Sequence, residues 1–193
     1  ESFWKVWDEQ NKKVFDPEHA EFVQEVIGKE KLQAIVDQTR TFAEPIIQAG
    51  EDPSTEYFVH NDTAPNNMFF PDDDPTQSAV LLDFEHAAAS HNRILAQLTD
   101  MGNFYGRMWP NPDMQKRFLT TFLSETPQVE REAVYKLLRI VAVFGSLYLS
   151  KYAMANDHRE HIMSFSLLKN LGANITWLDA EYQGLQTQTP QES

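Results

Sequence analysis

The helical periodicity of this chain breaks once, between Gly50 and Phe84, and that break limits the fold to a helical body with one small sheet set into it. On the N-terminal side, Asp16-Pro17-Glu18 reads as a helix start. Asp can cap, Pro suits the first helical position, and an acid favours the positive end of the helix. Phe22, Val23, Val26 and Ile27 then share one face, and Gly28 ends the run. A second helix is predicted over 29–49, with Leu32, Ile35, Val36, Phe42, Ile46 and Ile47 inward and Gly50 behind it. Pro45 inside that pattern should kink or split it. Only a short stretch without β-like pattern precedes Asp16. On the far side of the break, helices are predicted over 93–108, 112–123, 127–154 and 157–182, punctuated by Pro110 and Pro112, with Asp157 placed to cap the last. Residues 1–182 make one domain, and the polar tail 183–193 has little to bury and should fray.

Inside the break, Tyr57-Phe58-Val59-His60 is a short β-like run followed by the polar stretch Asn61-Asp62-Thr63-Ala64-Pro65-Asn66. Met68-Phe69-Phe70, a turn-rich segment over 71–77 and Ala79-Val80-Leu81-Leu82 then read as a hairpin with a long loop. The fold class is α+β, predominantly α.

Composition removes several function classes. Sixteen Lys and Arg against 29 Asp and Glu leave a net charge of −13, which repels a nucleic-acid backbone. No apolar run approaches the ~20 residues that span a bilayer. The absence of cysteine removes thiolate nucleophiles, disulfides and Cys-ligated zinc together. Glu1-Ser2-Phe3-Trp4-Lys5 has neither a basic nor an apolar leader pattern, so a soluble cytoplasmic protein with no nucleic-acid or membrane partner is expected.

The chemistry-bearing residues fall in the same break: His60-x-Asp62-x-x-x-x-Asn67, then Asp83-Phe84-Glu85 after the hairpin. If Phe70 pairs with Val80, the antiparallel register sets Asn67 opposite Asp83. An amide carbonyl and a carboxylate then converge at the open end of the hairpin, with Asp62 entering the same end. Such hard oxygens suit Mg²⁺, which keeps several water or phosphate oxygens of its own. The spacing also matches the kinase arrangement of a catalytic-loop Asp, an Asn five residues on, and a metal-binding Asp just after a strand.

Val59-His60-Asn61-Asp62-Thr63-Ala64-Pro65-Asn66-Asn67 with Leu82-Asp83-Phe84-Glu85 resembles the aminoglycoside phosphotransferase and choline/ethanolamine kinase superfamily. Asp100-Met101-Gly102-Asn103-Phe104 is similar to a downstream motif of the choline/ethanolamine branch. The resemblance implies a protein-kinase-like C-terminal lobe whose small hairpin sheet carries the site, and ATP- and Mg²⁺-dependent phosphorylation of a small-molecule hydroxyl. It assigns Asp62 as the catalytic Asp, Asn67 and Asp83 as Mg²⁺ ligands, and His60 and Asp100 as braces of the loop. Glu85 would stand behind the metal ligands. In choline-type kinases, aromatic side chains of the following helices receive a cationic head group, which makes Tyr105 and Trp109 candidate pocket residues and the acceptor an amino alcohol or aminoglycoside type.

Nothing in the sequence looks like a Gly-rich phosphate loop or a Val-Ala-Ile-Lys strand, and the seven glycines are scattered. The resemblance is therefore to a C-lobe without its N-lobe, so the nucleotide site would lie mostly in a lobe outside this sequence. The isolated chain should then be inactive, and its uncovered apolar surface should favour a homodimer. The competing class is a solitary pseudokinase-like binding or scaffold module. A phosphohydrolase using the same metal site would need a water-positioning base, and none stands out.

Overall fold

The computed structural model describes residues 3–69, 80–155 and 159–188. It is mostly helical: α1 (Phe3–Val14), α2 (Ala20–Val26), α3 (Lys29–Ala49), α4 (Arg93–Arg107), α5 (Pro112–Glu125), α6 (Arg131–Ala155) and α7 (Arg159–Gln188). Between α3 and α4 lie four short strands, β1 (Tyr57–Val59), β2 (Met68–Phe69), β3 (Val80–Leu81) and β4 (Ala88–Ser90).

Local chemistry sets the helix ends. The Asp16 carboxylate accepts the Glu18 N–H at 3.0 Å and opens a 3₁₀ turn over Pro17–His19 that leads into α2. Gly28, at φ 83°, lets the chain reverse into α3. The Asn92 side chain caps α4 through the Leu95 N–H at 2.9 Å, and its amide also donates to the Ile47 carbonyl at 2.6 Å. One residue thus starts α4 and ties it to the end of α3. Asn111 caps α5 in the same way, with Pro112 at the first helical position.

Several sequence expectations need correction. A helix, α1, occupies the stretch ahead of Asp16, burying Trp7 and Val14 completely. The helix α3 runs unbroken through Pro45, which lies near its exposed C-terminal end, where water can satisfy the carbonyl that proline leaves without a donor. The sheet is two two-stranded pieces rather than one. β1 pairs antiparallel with β4, and the β2–β3 hairpin is inserted between them. The hairpin register is one residue from expectation: Met68 faces Leu81 and Phe69 faces Val80. Phe70, the turn-rich 71–77 and the Asp157 cap lie outside the described residues. The last helix reaches Gln188, past the expected end at Tyr182.

The helix α6 forms the centre, with α1, α3, α4 and α7 packed around it. It is long and apolar enough to cross a membrane, but 72% of that stretch is buried inside the protein, as in a core helix. Its contact with α4 is backbone on backbone. A Cβ at Gly145 would run into the Gly102 carbonyl oxygen, and one at Gly106 would lie 2.8 Å from the Gly145 carbonyl oxygen. Glycine is needed here for close approach, and this approach fixes where α4 sits. Across the other side of α6, the buried Arg139 donates to Thr39 at 3.0 Å, Gln38 at 2.7 Å and Asp179, joining α3, α6 and α7. By contrast, the small sheets leave Phe58, Phe69, Val80, Leu82 and Phe84 about half exposed.

Candidate functional site

The loop after β1 carries the site, and α4 holds it from beneath. Asp100 accepts two backbone N–H groups at once, from His60 at 3.0 Å and Asn61 at 2.9 Å. Three residues on, the Asn103 amide donates to the Asn61 carbonyl at 2.8 Å. Four further, Arg107 donates to Asp62 Oδ1 at 2.8 Å. These positions lie on one face of α4, so a single rigid element meets three consecutive loop residues. Asn61 takes φ 64°, a conformation that asparagine tolerates better than most residues, and its side chain donates to the His86 carbonyl at 3.0 Å.

His60 is fully buried and braces the loop against the hairpin. Its Nε2 lies 2.9 Å from the Leu82 carbonyl oxygen, so Nε2 carries the proton and Nδ1 faces the Asp62 N–H at 3.4 Å. The imidazole also packs against Phe84 at 4.9 Å between ring centroids. Asp62 lines a cleft of about 890 Å³, together with Asn103, Arg107, Trp109 and Tyr148. Its second oxygen accepts the Asn67 amide at 3.0 Å, and the same amide reaches the Asp62 carbonyl at 3.0 Å. The five-residue offset therefore closes a small ring, and among the described residues the Asn67 Oδ1 has only a long contact, 3.4 Å, from the Asn66 amide.

The Asn67 Oδ1 and the Asp83 carboxylate are oxygen donors of the kind that a hard cation takes. The pairing differs from expectation: the Leu82 N–H donates to the Asn67 carbonyl at 2.8 Å, which puts Leu82, not Asp83, across from Asn67. Asp83 leaves the strand in a left-handed turn, φ 62°, and stands exposed with no side-chain partner among the described residues. It is thus the turn that aims Asp83. Among the described residues no group of three or more His, Asp or Glu side chains gathers to hold an ion, so a metal here would take its remaining ligands from water or a bound phosphate. Glu85 is exposed and turns to His86, 3.3 Å away.

Tyr105 is not a pocket residue. It is fully buried, its hydroxyl accepts the Asn174 amide at 2.7 Å, and burial pushes that hydroxyl well above the usual tyrosine range while the Asn174 bond opposes the shift. Trp109, four residues on, does line the cleft. Asn103 belongs to the stretch 100–104 that resembles a family motif, whereas Arg107, seven places after Asp100 on the same helix, has a sequence signal only in retrospect. Comparison with protein-family models gives no match, and neither does a search of curated proteins.

Proposed function

We propose that this domain is the C-terminal lobe of a protein-kinase-like small-molecule phosphotransferase that uses ATP and Mg²⁺. The observation that carries the reading is the ring of Asp62 and Asn67 at the cleft, held in place from below by Asp100. Asp62 would accept a hydrogen bond from the acceptor hydroxyl, orient it in line with the phosphoryl group, and collect its proton late. An ordinary carboxylate serves, because a loose transition state demands little early proton abstraction. Asn67 and Asp83 would hold Mg²⁺, which when bound neutralises charge on the phosphate oxygens. Asp100 and His60 keep the loop from rearranging, and Trp109 contributes a wall for the acceptor. The half-exposed Phe58, Phe69 and Phe84 beside the loop suit a covering nucleotide-binding lobe.

The test is label transfer. The protein purified at the length its source makes is incubated with Mg²⁺, γ-labelled ATP and a library of small alcohols. At least one alcohol should gain label. Replacing the acid with its amide, Asp62→Asn, should cut turnover about 10²- to 10⁴-fold with the melting temperature nearly unchanged. Full turnover by that variant sinks the assignment.

A further inference from the structure

We infer that the acceptor bound in this cleft is a small anionic alcohol, one bearing a carboxylate or phosphate besides the hydroxyl, and that Arg107 is the residue that selects it. The inference rests on the phosphotransferase reading and departs from the cationic acceptor that the family resemblance implies.

Charge inside the cleft decides the point. Among the described residues lining it, Asp62 is the sole carboxylate, Arg107 the sole permanent cation and His86 the sole imidazole; the others are apolar or neutral polar. Trp109, Phe144 and Tyr148 offer aromatic faces, but cation–π attraction of about 0.5–2 kcal/mol does not by itself offset the desolvation of a cationic head group, which also needs a carboxylate. The single carboxylate available must handle the hydroxyl, and Arg107 already sits on it at 2.8 Å. An incoming cation would therefore meet a guanidinium beside the one acid it could use. The protein's net charge of −13 draws cations to the outer surface, but the described residues lining the cleft add no acid beyond Asp62.

Arg107 has hydrogen-bonding capacity to spare. One Nη2 contact goes to Asp62 Oδ1, and its Nε and Nη1 have no partner among the described residues. A planar guanidinium with unused donors matches the geometry of a carboxylate or phosphate. Because the same side chain touches Asp62, an acid bound to the free donors would bring a hydroxyl two or three bonds away toward the Asp62 carboxylate. Trp109, Phe144 and Tyr148 leave room and apolar surface for a short carbon skeleton.

Calorimetric titration of the chain with D-glycerate, glycerol 3-phosphate, glycerol and choline tests this without nucleotide. Glycerate or glycerol 3-phosphate should bind at least tenfold more tightly than glycerol or choline, and which of the two binds better tells carboxylate from phosphate. Arg107→Gln should abolish that preference, and Arg107→Lys should keep part of it while losing the fork, with circular dichroism confirming that both variants fold. Tighter binding of choline than of either acid, equal binding by Arg107→Gln, or no binding by any of the four overturns the inference. Labelled-ATP assays with the same four alcohols, on the protein purified at the length its source makes, separate the two proposals. Phosphorylation of choline alone leaves the phosphotransferase standing and removes the anionic acceptor. Arg107-dependent binding of the acids without any phosphorylation keeps the anion site and removes the phosphotransferase.

Discussion

Replacing Asp100 with asparagine isolates the contribution of the clamp under the site loop. The carboxylate accepts the His60 and Asn61 N–H groups through separate oxygens, at 3.0 and 2.9 Å. Bonds of this kind to a charged acceptor contribute about 1.5–3 kcal/mol each. The asparagine side chain keeps one acceptor oxygen without the full charge and turns an NH₂ toward the other N–H. One bond is lost, the other weakened, and a backbone donor is left without a partner. The expected cost is about 2–4 kcal/mol, concentrated on the loop. Native-state hydrogen exchange reads it directly. Protection of the His60 and Asn61 amides should fall by roughly 30- to 700-fold, since tenfold corresponds to about 1.4 kcal/mol. Amides in the middle of α6 should lose protection only as far as global stability falls. If His60 and Asn61 keep their protection in Asp100→Asn while α6 loses its own, the carboxylate supports the core and not the loop, and the reasoning fails.

Gly145→Ala should cost about 1–3 kcal/mol by forcing α4 off α6, read as a lower denaturation midpoint, and should also loosen the Asn61 amide although that residue is not touched. Asp179→Ala leaves the buried Arg139 guanidinium without its carboxylate and should destabilise by about 3 kcal/mol. That figure is near the low end for a buried pair because Asp179 is 37% exposed; the double variant Arg139→Met/Asp179→Leu should recover most of it in the same urea titration. Burial, then the hydrogen bond to Asp179, push the Tyr135 hydroxyl up to about 12, and burial raises Tyr105 as well. A folded pKa above the unfolded value means stability intact below about pH 10 and lost as pH rises toward 12. Absorbance titrations of the unaltered protein and of Tyr135→Phe should differ by one late phenolate, ionising near pH 12.

Much of this architecture was legible because helix ends have strong local chemistry. Gly28 and Gly50 bracket α3, Asp16-Pro17 opens the turn into α2, and the observed bounds of α3 and the start of α5 agree with the pattern. The features that escaped have physical reasons. The helix α1 spaces its two buried apolar residues, Trp7 and Val14, a full seven positions apart among charges, which makes a thin stripe. β4 is Ala88-Ala89-Ser90, without the β-branched or aromatic residues that mark a strand, and it pairs because Tyr57, Phe58 and Val59 supply the edge. The one-residue hairpin shift is set by the long connection, whose geometry leaves no local signal, and a slip of one moves every side chain to the opposite face. Asp62 and Asn67 could be picked out by spacing, and Asp100 by the resemblance of 100–104 to a family motif. Arg107 could not, since a basic residue in the last turn of a helix ordinarily answers the helix dipole. Tyr105 and Trp109 share a helical spacing, yet the Asn174 amide takes the Tyr105 hydroxyl into the core.

The bonds by which α4 holds the loop span 39 to 45 residues of chain, longer than its links to Asn67, Leu82 and His86. During synthesis the Asp62 loop therefore leaves the ribosome well before the helix that gives it shape. That helix in turn has its place only once Gly102 has met Gly145, another 43 residues later. Closing loops of this size slows the encounter and makes it the last step rather than the first. The protein should thus pass through a stage in which its helices are largely formed and its site is not, a period when the half-exposed Phe58, Phe69 and Phe84 stand beside an unfinished loop and invite the wrong partner.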